Sequence, residues 1–235
     1  MEKIEDKIYR LALEEHPEFK KIPMLEFKNV IKTALLEIEE LERVALINTE
    51  IKGNISVLWV FSGPGTYDDA FINDRYPDYS WTKGMDRVRV DYAVKLAQMA
   101  DCGSPIIIYN GSDLQNSVLR EAVKRKEIKI LSEKIMIVGE NINNTVDQIK
   151  TFILPESLHK SGHEIGLISH APHLMRIVHI LNKYKTIPQN MTVRLFPIAT
   201  PKEGKGDYAI TEIKALLYYI FLGKNAGSIA YPYTI

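Results

Sequence analysis

A histidine and an arginine three residues apart carry the clearest chemical signal in the chain, within residues 169–176. Proline is favoured at the first position of a helix, so Pro172 predicts a helix whose opening turn presents His173 and Arg176 on one face. Positive side chains there oppose the helix dipole, at about 0.3 to 1 kcal/mol each, and a bound anion removes that conflict. We therefore favour an anion-binding site, with His173 as a catalytic candidate, over a neutral histidine beside a surface arginine.

Two loops that contain glycine follow the first two predicted strands. They are Ser62-Gly63-Pro64-Gly65 and Asn110-Gly111-Ser112-Asp113. Glycine lets backbone amides approach a ligand, but a plain tight turn explains the first loop as readily, and helix capping explains the second in about half of such cases. The first loop has neither the glycine spacing of a dinucleotide-binding fingerprint nor the lysine of a P-loop.

The loop after the third predicted strand carries a carboxylate, Glu140, followed by two asparagines. At the lip of a buried strand a glutamate can accept hydrogen bonds from a ribose or act as a general base, whereas a solvated loop glutamate is an equally good interpretation. Asn143 or Asn144 is predicted to cap the helix that follows.

Other chemistries are not indicated by the sequence. His170 and His173 have no third metal ligand at a recognisable spacing, so we predict no metal site. The single cysteine, Cys102, has no partner for an internal disulfide and is interpreted as a structural thiol. We find no serine nucleophile elbow and no spacing typical of a catalytic triad.

The composition argues against nucleic acid and against a membrane span. The 235 residues include 30 lysines and arginines and 30 acidic residues, so no excess of positive charge favours binding to nucleic acid. No apolar run reaches the length of about 18 residues that a membrane-spanning helix needs. The first residues lack the order of a secretory signal, so we expect a cytoplasmic protein. A small molecule with an anionic group is the predicted partner, and the residues allow a homo-oligomer without indicating one.

The elements that position these side chains follow from hydrophobic periodicity. An amphipathic pair of helices is predicted at residues 2–15 and 24–47. Five β-branched runs then alternate with five helical stretches. The predicted strands are residues 57–61, 105–109, 135–138, 164–169 and 191–196, and the predicted helices are residues 87–100, 113–126, 145–158, 172–183 and 207–222. This alternation predicts an α/β fold with a mostly parallel five-stranded sheet and helices on both faces.

Ligands of open parallel sheets bind beyond the carboxyl ends of the strands, where the loops named above converge. The connection at residues 66–84 follows the first strand and is rich in aromatic and acidic residues. A connection of about twenty residues is more often a functional lid than a plain link.

The order of these loops resembles the YdcF-like, SanA-like and ElyC-like domain family, a family of domains of unknown function. The resemblance runs from about Ile55 to Gly223. Its motifs are matched by Arg89, Ala93 and Leu96; by Asn110-Gly111-Ser112; by Glu140, Asn144-Thr145 and Asp147-Gln148; by Ser169, His173 and Arg176; and by Glu212, Lys214, Leu217 and Tyr218.

The resemblance implies a Rossmann-like three-layer domain at residues 51–235, with residues 1–50 as a helical appendage. One family member is associated with S-adenosylmethionine, which makes that molecule a candidate cofactor, and others are linked to the cell envelope and carry membrane anchors. Together with the loops described above, it assigns Glu140 and His173 as catalytic candidates. The ligand-binding candidates are Ser62, Gly63, Gly65, Arg89, Asn110, Gly111, Ser112, Asn144, Thr145, Ser169 and Arg176.

Three hypotheses of function follow. The first is a protein that binds a nucleotide-like or phosphorylated small molecule, and acts as a transferase or hydrolase on phosphate-containing metabolites. The second is a noncatalytic sensor of such a ligand. The third is an S-adenosylmethionine-binding protein or methyltransferase, which only the family resemblance suggests.

Overall fold

The computed structural model describes residues 2–47, 54–63, 86–99, 104–129, 132–152, 154, 156, 163–202 and 205–235. Two compact units make up the chain. The helical unit consists of Met1–Asn48, Ala171–Lys185 and Ala199–Pro232, and the sheet unit consists of Thr49–His170, Thr186–Ile198 and Tyr233–Ile235. The predicted lid at residues 66–84, the site candidate Gly65 and Cys102 lie outside the described residues.

The sheet unit is built on five parallel strands, which confirms the predicted α/β fold. They are β1 (Ile55–Phe61), β2 (Ile106–Asn110), β3 (Ile135–Ile137), β4 (Glu164–His170) and β5 (Thr192–Ile198). Their order across the sheet is β3-β2-β1-β4-β5, as in Rossmann-like folds. Each strand begins and ends within two residues of the prediction. The prediction succeeded because strands buried on both faces read as continuous apolar runs.

β1 lies at the centre of the sheet, between β2 and β4. Phe61 at its end pairs with Asn110 of β2, and Val60 pairs with Ile168 of β4. The chain builds the sheet from β1 through β2 to β3 in one direction and from β4 to β5 in the other. We call the carboxyl ends of β1 and β4 the switch point, which is where ligands of such sheets bind.

The described part of the sheet unit contains the α-helices α3 (Asp86–Gln98), α4 (Asp113–Lys124) and α5 (Thr145–Lys150). Val90, Ala93 and Leu96 place the apolar face of α3 in one core with Leu58 and Ile107 of the strands. This packing fixes where the amino terminus of α3 meets the switch point.

The helix predicted at residues 145–158 is too long, because α5 ends at Lys150. Thr151, with φ −88° and ψ 0°, still lies in the helical region as the carboxyl cap. Pro155 in the sequence has no N–H to donate to residue 151, so a helix cannot continue through it without losing a hydrogen bond. Residues 153, 155, 157 and 158 lie outside the described residues.

The helical unit contains α1 (Ile4–Glu15), α2 (Met24–Ala45), α6 (Ala171–Tyr184) and α7 (Lys205–Leu217), which continues as a π-helical turn at Tyr218–Leu222. The predicted amino-terminal helix pair is therefore confirmed. In its core the ring of Phe27 lies 5.0 Å from that of Phe19 and 5.5 Å from that of Phe221. The pair thus shares a core with a later helix of the chain. The predicted domain boundary at residues 50 and 51 lies outside the described residues and stays a prediction.

None of the described helices combines the length and the apolar character that crossing a bilayer requires.

Candidate functional site

A buried carboxylate at the start of α3 ties together the loops that follow β1 and β2. Asp86 accepts a hydrogen bond from the backbone N–H of Gly63 through Oδ1, at 2.7 Å. Its Oδ2 accepts from the Tyr109 hydroxyl at 3.0 Å and from Nε2 of Gln115 at 2.8 Å. The same Gln115 amide donates to the carbonyl of Gly63 at 2.8 Å. The position of Gly63 is therefore set by two side chains from two helices.

Burial governs the protonation of Asp86. It raises the pKa of this carboxyl group, against the opposing effects of the Arg89 charge and of the hydrogen bonds from Gly63, Tyr109 and Gln115. The donors that surround it all favour the ionised form, so burial and hydrogen bonding act in opposite directions on one group.

Arg89 of α3 places a guanidinium group at the switch point. Its side chain is fully buried. Nη1 donates to the carbonyl of Phe61 at the end of β1, at 2.7 Å, and Nε donates to Nδ1 of His170 at the end of β4, at 3.1 Å. Oδ1 of Asp86 lies 3.8 Å from Nη1, within ion-pair distance but beyond a hydrogen bond. Arg89 thus contacts both strands that define the switch point.

Gly63 must be a glycine because Arg89 lies against it. A Cβ atom at position 63 would lie 2.8 Å from Nη1 and 2.9 Å from Nη2 of Arg89. Contacts that short do not occur between a real Cβ and its neighbours, so any other residue would displace the guanidinium group. This glycine therefore serves the packing of the site rather than the freedom of a turn.

His170, the last residue of β4, is a neutral hydrogen-bond acceptor at the switch point. Burial, and to a lesser degree the charge of Arg89, lowers the pKa of His170 to about 3. The imidazole is therefore uncharged at neutral pH and can accept the hydrogen bond from Nε of Arg89.

A second set of buried amides joins β2 to α5. Oδ1 of Asn110 accepts from Nε1 of Trp59 at 2.8 Å, and Nδ2 of Asn110 donates to the carbonyl of Gln148 at 2.7 Å. Gln148 returns a hydrogen bond to the carbonyl of Asn110 at 2.8 Å and also donates to the Ser62 hydroxyl. Ser62 and Asn110, both predicted from sequence, therefore lie in one network with Gln148.

The loop after β2 is held by hydrogen bonds that stabilise its own helix. Gly111 N–H donates to Oδ1 of Asn116 at 2.8 Å. Ser112 and Gln115 form a capping box at the start of α4, with Ser112 N–H donating to Gln115 Oε1 at 2.9 Å. Capping, the alternative explanation offered by the sequence, accounts for the hydrogen bonds between Ser112 and Gln115, and the ligand-binding role of Ser112 stays a prediction.

In the loop after β3, too, the observed hydrogen bonds cap a helix, and the predicted ligand contacts stay predictions. Asn144 caps α5 by accepting from the N–H groups of Val146 at 2.9 Å and Asp147 at 3.1 Å, which selects it over Asn143. Thr145 is the buried first residue of α5. Glu140 is exposed to solvent, as the ordinary interpretation of a loop glutamate requires. Its role as a general base stays a prediction.

His173 and Arg176 belong to the helical unit. α6 begins at Ala171, one residue before the prediction, so Pro172 is its second residue and Arg176 lies in the second turn rather than the first. His173 is buried, as is Ser169 on β4. Nε of Arg176 lies 2.5 Å from Oε2 of the buried Glu212. The chain itself therefore supplies an anion to Arg176, and the meeting of His173 and Arg176 with the loops of the sheet unit stays a prediction.

Sequence reasoning did not assign Asp86, Gln115, Gln148 or His170 to the site. One signal was available for Gln115, since a serine followed three residues later by glutamine is typical of a capping box. Nothing in the sequence showed that the amide nitrogen of the same Gln115 side chain reaches Asp86 and Gly63.

A cavity of about 770 Å³ lies elsewhere in the sheet unit, near the amino-terminal ends of β2 and β3. Its walls include Lys124, Lys126, Lys129 and Lys134, beside Pro105, which precedes β2. Two helices, α3 and α4, end beside it, and lysines are favoured at such carboxyl termini for helix stability alone. We therefore place the candidate site at the switch point, where buried polar groups converge, and not in this cavity. In the described part of the chain, no three histidine, cysteine or acidic side chains are placed to hold a metal ion.

No family model, no curated protein and no solved structure matches this chain. The resemblance to the YdcF-like, SanA-like and ElyC-like domain family therefore stays a prediction.

Proposed function

We propose that this protein binds a small molecule with an anionic group, nucleotide-like or phosphorylated, at the switch point. The observation that carries the proposal is the fully buried guanidinium of Arg89 between the ends of β1 and β4. In a parallel sheet of this strand order, that is the position at which ligands bind.

Charge supports an anionic ligand. The positive charge of Arg89 acts in a medium of low dielectric constant, where it attracts an anion far more strongly than at the surface. Asp86 is the nearby carboxylate, yet it lies 3.8 Å from Nη1 and its oxygens accept hydrogen bonds from three other residues. His170 adds no charge, because its pKa is lowered to about 3. A phosphate or carboxylate on the ligand would balance the charge of Arg89 further.

The neighbouring loops support a ligand with hydroxyl or amide groups. Ser62, Asn110 and Gln148, all buried, form a hydrogen-bonded chain at the carboxyl ends of β1 and β2, and Gly63 and Gly111 follow the same two strands. Ribose, sugar and base edges offer matching donors and acceptors. We propose that the sugar or base of a nucleotide or sugar phosphate lies against these loops, with its anionic group near Arg89.

The activity class we propose for this site is transfer or hydrolysis of a phosphate-containing group, with Glu140 as the general-base candidate. Tight binding without product after long incubation would instead make the protein a ligand sensor. Release or transfer of a labelled phosphoryl group separates the two, and transfer of a labelled methyl group from S-adenosylmethionine would identify a methyltransferase.

The binding proposal is tested by calorimetry with ATP, glucose 6-phosphate and S-adenosylmethionine. Arg89→Lys keeps the charge but cannot keep both hydrogen bonds in place. We expect it to weaken binding of the ligand about 10- to 150-fold, since a hydrogen bond from a charged group to the ligand contributes about 1.5 to 3 kcal/mol and about 1.4 kcal/mol is a factor of ten. Arg176→Gln tests Arg176, the anion-binding arginine predicted from the sequence. Loss of ligand affinity in this variant and not in Arg89→Lys would place the ligand site at α6 instead.

Lys129→Gln is the matched control, because it removes a cation from the lysine-lined cavity near the amino-terminal ends of β2 and β3. Its affinity should equal that of the unmodified protein. The proposal is wrong if none of the three ligands binds, or if folded Arg89→Lys, checked by its thermal unfolding, binds as tightly as the unmodified protein.

A further inference from the structure

The hydrogen bond between Arg89 and His170 fixes the position of a proton. A guanidinium nitrogen can donate but has no lone pair to accept with. Nδ1 of His170, 3.1 Å from Nε of Arg89, must therefore be the acceptor and carries no proton. A neutral imidazole has one ring proton, so it lies on Nε2.

We propose that His170 is the positioning residue of the switch point, and that it holds the Arg89 guanidinium as the neutral tautomer with its proton on Nε2. The role rests on the proposed ligand site, whereas the tautomer and the hydrogen bond are properties of the protein alone.

Hydrogen bonds to two strands determine the orientation of the Arg89 guanidinium plane. Nη1 is bound to the Phe61 carbonyl on β1 at 2.7 Å, and Nε is bound to His170 on β4. A planar group held through two of its nitrogens cannot rotate about its last side-chain bonds. Arg89 is thereby ordered before a ligand arrives, which spares the ligand the entropy of ordering a long side chain.

Protonation of His170 would destroy this arrangement. A proton on Nδ1 would point at the N–H of Arg89 and place two positive charges next to each other. Among the described residues, Arg89 is the charged group hydrogen-bonded to the imidazole, and Asp86 on the same helix lies 3.8 Å from Nη1 of Arg89. Burial also opposes the charged ring, in agreement with a pKa lowered to about 3. His170 therefore adds no pH dependence to binding at the switch point between about pH 5 and 8.

Nitrogen NMR of the histidine rings measures this directly in the ligand-free protein. The His170 signals are assigned by their loss in His170→Asn. We expect one ring nitrogen with the shift of an unprotonated acceptor and one with that of an N–H donor, unchanged between about pH 5 and 8. A proton on Nδ1, or titration of the ring within that range, would overturn the proposal.

The positioning role is tested by a matched pair of variants. The amide oxygen of His170→Asn replaces Nδ1 as an acceptor, whereas His170→Leu has similar size and no acceptor. We expect the Arg89 Nε–H signal to stay protected from solvent exchange in His170→Asn and to lose that protection in His170→Leu. For any ligand that binds the unmodified protein, His170→Leu should weaken affinity about tenfold and His170→Asn should restore most of it.

Equal protection of the Arg89 signal in the two variants would refute the positioning role. These results do not depend on the proposed function. If no ligand binds but the ring nitrogens and the Arg89 signal behave as expected, the positioning proposal stands and the proposed function fails.

Discussion

At the scale of single residues, the site is set by groups that are buried and matched to one another. Asp86 and Arg89 are one turn apart on α3 and are both buried, yet each makes its hydrogen bonds mainly with other partners. The carboxylate holds Gly63, and the guanidinium holds the ends of β1 and β4. Removing either group would leave buried donors or acceptors without a partner, which costs more than the hydrogen bond itself contributes.

The raised pKa of Asp86 predicts how stability depends on pH. Its unfolded value is near 3.8, and burial raises the folded value above that. The folded state therefore binds the proton more tightly, and the contribution of Asp86 to stability is greatest below pH 3.8 and falls as pH rises through the folded pKa. We expect the difference in unfolding free energy between the unmodified protein and Asp86→Asn to shrink as pH rises.

Urea unfolding at a series of pH values from below 3.8 upward measures this difference in unfolding free energy between the unmodified protein and Asp86→Asn. Groups that titrate alike in both proteins cancel in the subtraction. A difference that grows with pH would show that the hydrogen bonds of Asp86 outweigh its burial.

Gly63→Ala tests the close packing of the switch point. The added Cβ would lie 2.8 Å from Nη1 of Arg89, so the guanidinium must move. We expect a loss of about 1 to 3 kcal/mol of stability, as for overpacking in other cores. Gly206→Ala is the matched control, because nothing lies within 4 Å of its Cβ position and alanine is favoured in the helix α7. Equal unfolding free energies for the two variants would show that Arg89 does not restrict the side chain at position 63.

At the scale of elements, a buried histidine joins two helices and the carboxy-terminal segment within the helical unit. His179 of α6 is buried, with Nε2 2.8 Å from Oε2 of Glu37 on α2 and Nδ1 2.7 Å from the carbonyl of Gly227. Both partners are acceptors, so the ring satisfies both only when each nitrogen carries a proton. An ion pair with Glu37 accompanies that state.

A double-mutant cycle on His179→Ala and Glu37→Ala measures how strongly this pair holds the helices. We expect a coupling energy of about 1 to 3 kcal/mol from thermal or urea unfolding, because the histidine is buried. The exposed pair Arg10 and Glu14 on α1 is the control and should couple less, since solvent screens it. Coupling no greater than that of the control would mean that His179 contributes by packing alone.

The sequence predicted the strands and helices better than it predicted the side-chain contacts between them. Apolar runs and helical periods located all five strands, since each depends on residues close together in the chain. The network at the switch point depends on pairs far apart in the chain. Gly63 and Asp86 are 23 residues apart, Arg89 and His170 are 81 apart, and Ser62 and Gln148 are 86 apart. Arg89 entered the predicted site only through the family resemblance, and no local pattern pointed to His170 as its acceptor.

At the scale of the whole molecule, the balance of 30 basic and 30 acidic residues leaves no net charge to attract an anion from a distance. The binding that we propose at the switch point would then depend on local groups, chiefly the buried Arg89. Buried charges are screened by salt much less than exposed ones. Ligand affinity at the switch point should therefore change little with salt concentration. Binding at the exposed lysines of the 770 Å³ cavity, Lys124, Lys126 and Lys129, would weaken as salt is added.

We propose that the switch point binds an anionic small molecule through Arg89. Amide and side-chain NMR shifts of the labelled protein, followed while ATP or glucose 6-phosphate is added, test it most directly. We predict that the signals of Gly63, Gly111 and Arg89 Nε move together and saturate, while those of Lys126 and Lys129 stay in place. Movement confined to the two lysines, or no movement at any of these positions for either ligand, would contradict the claim.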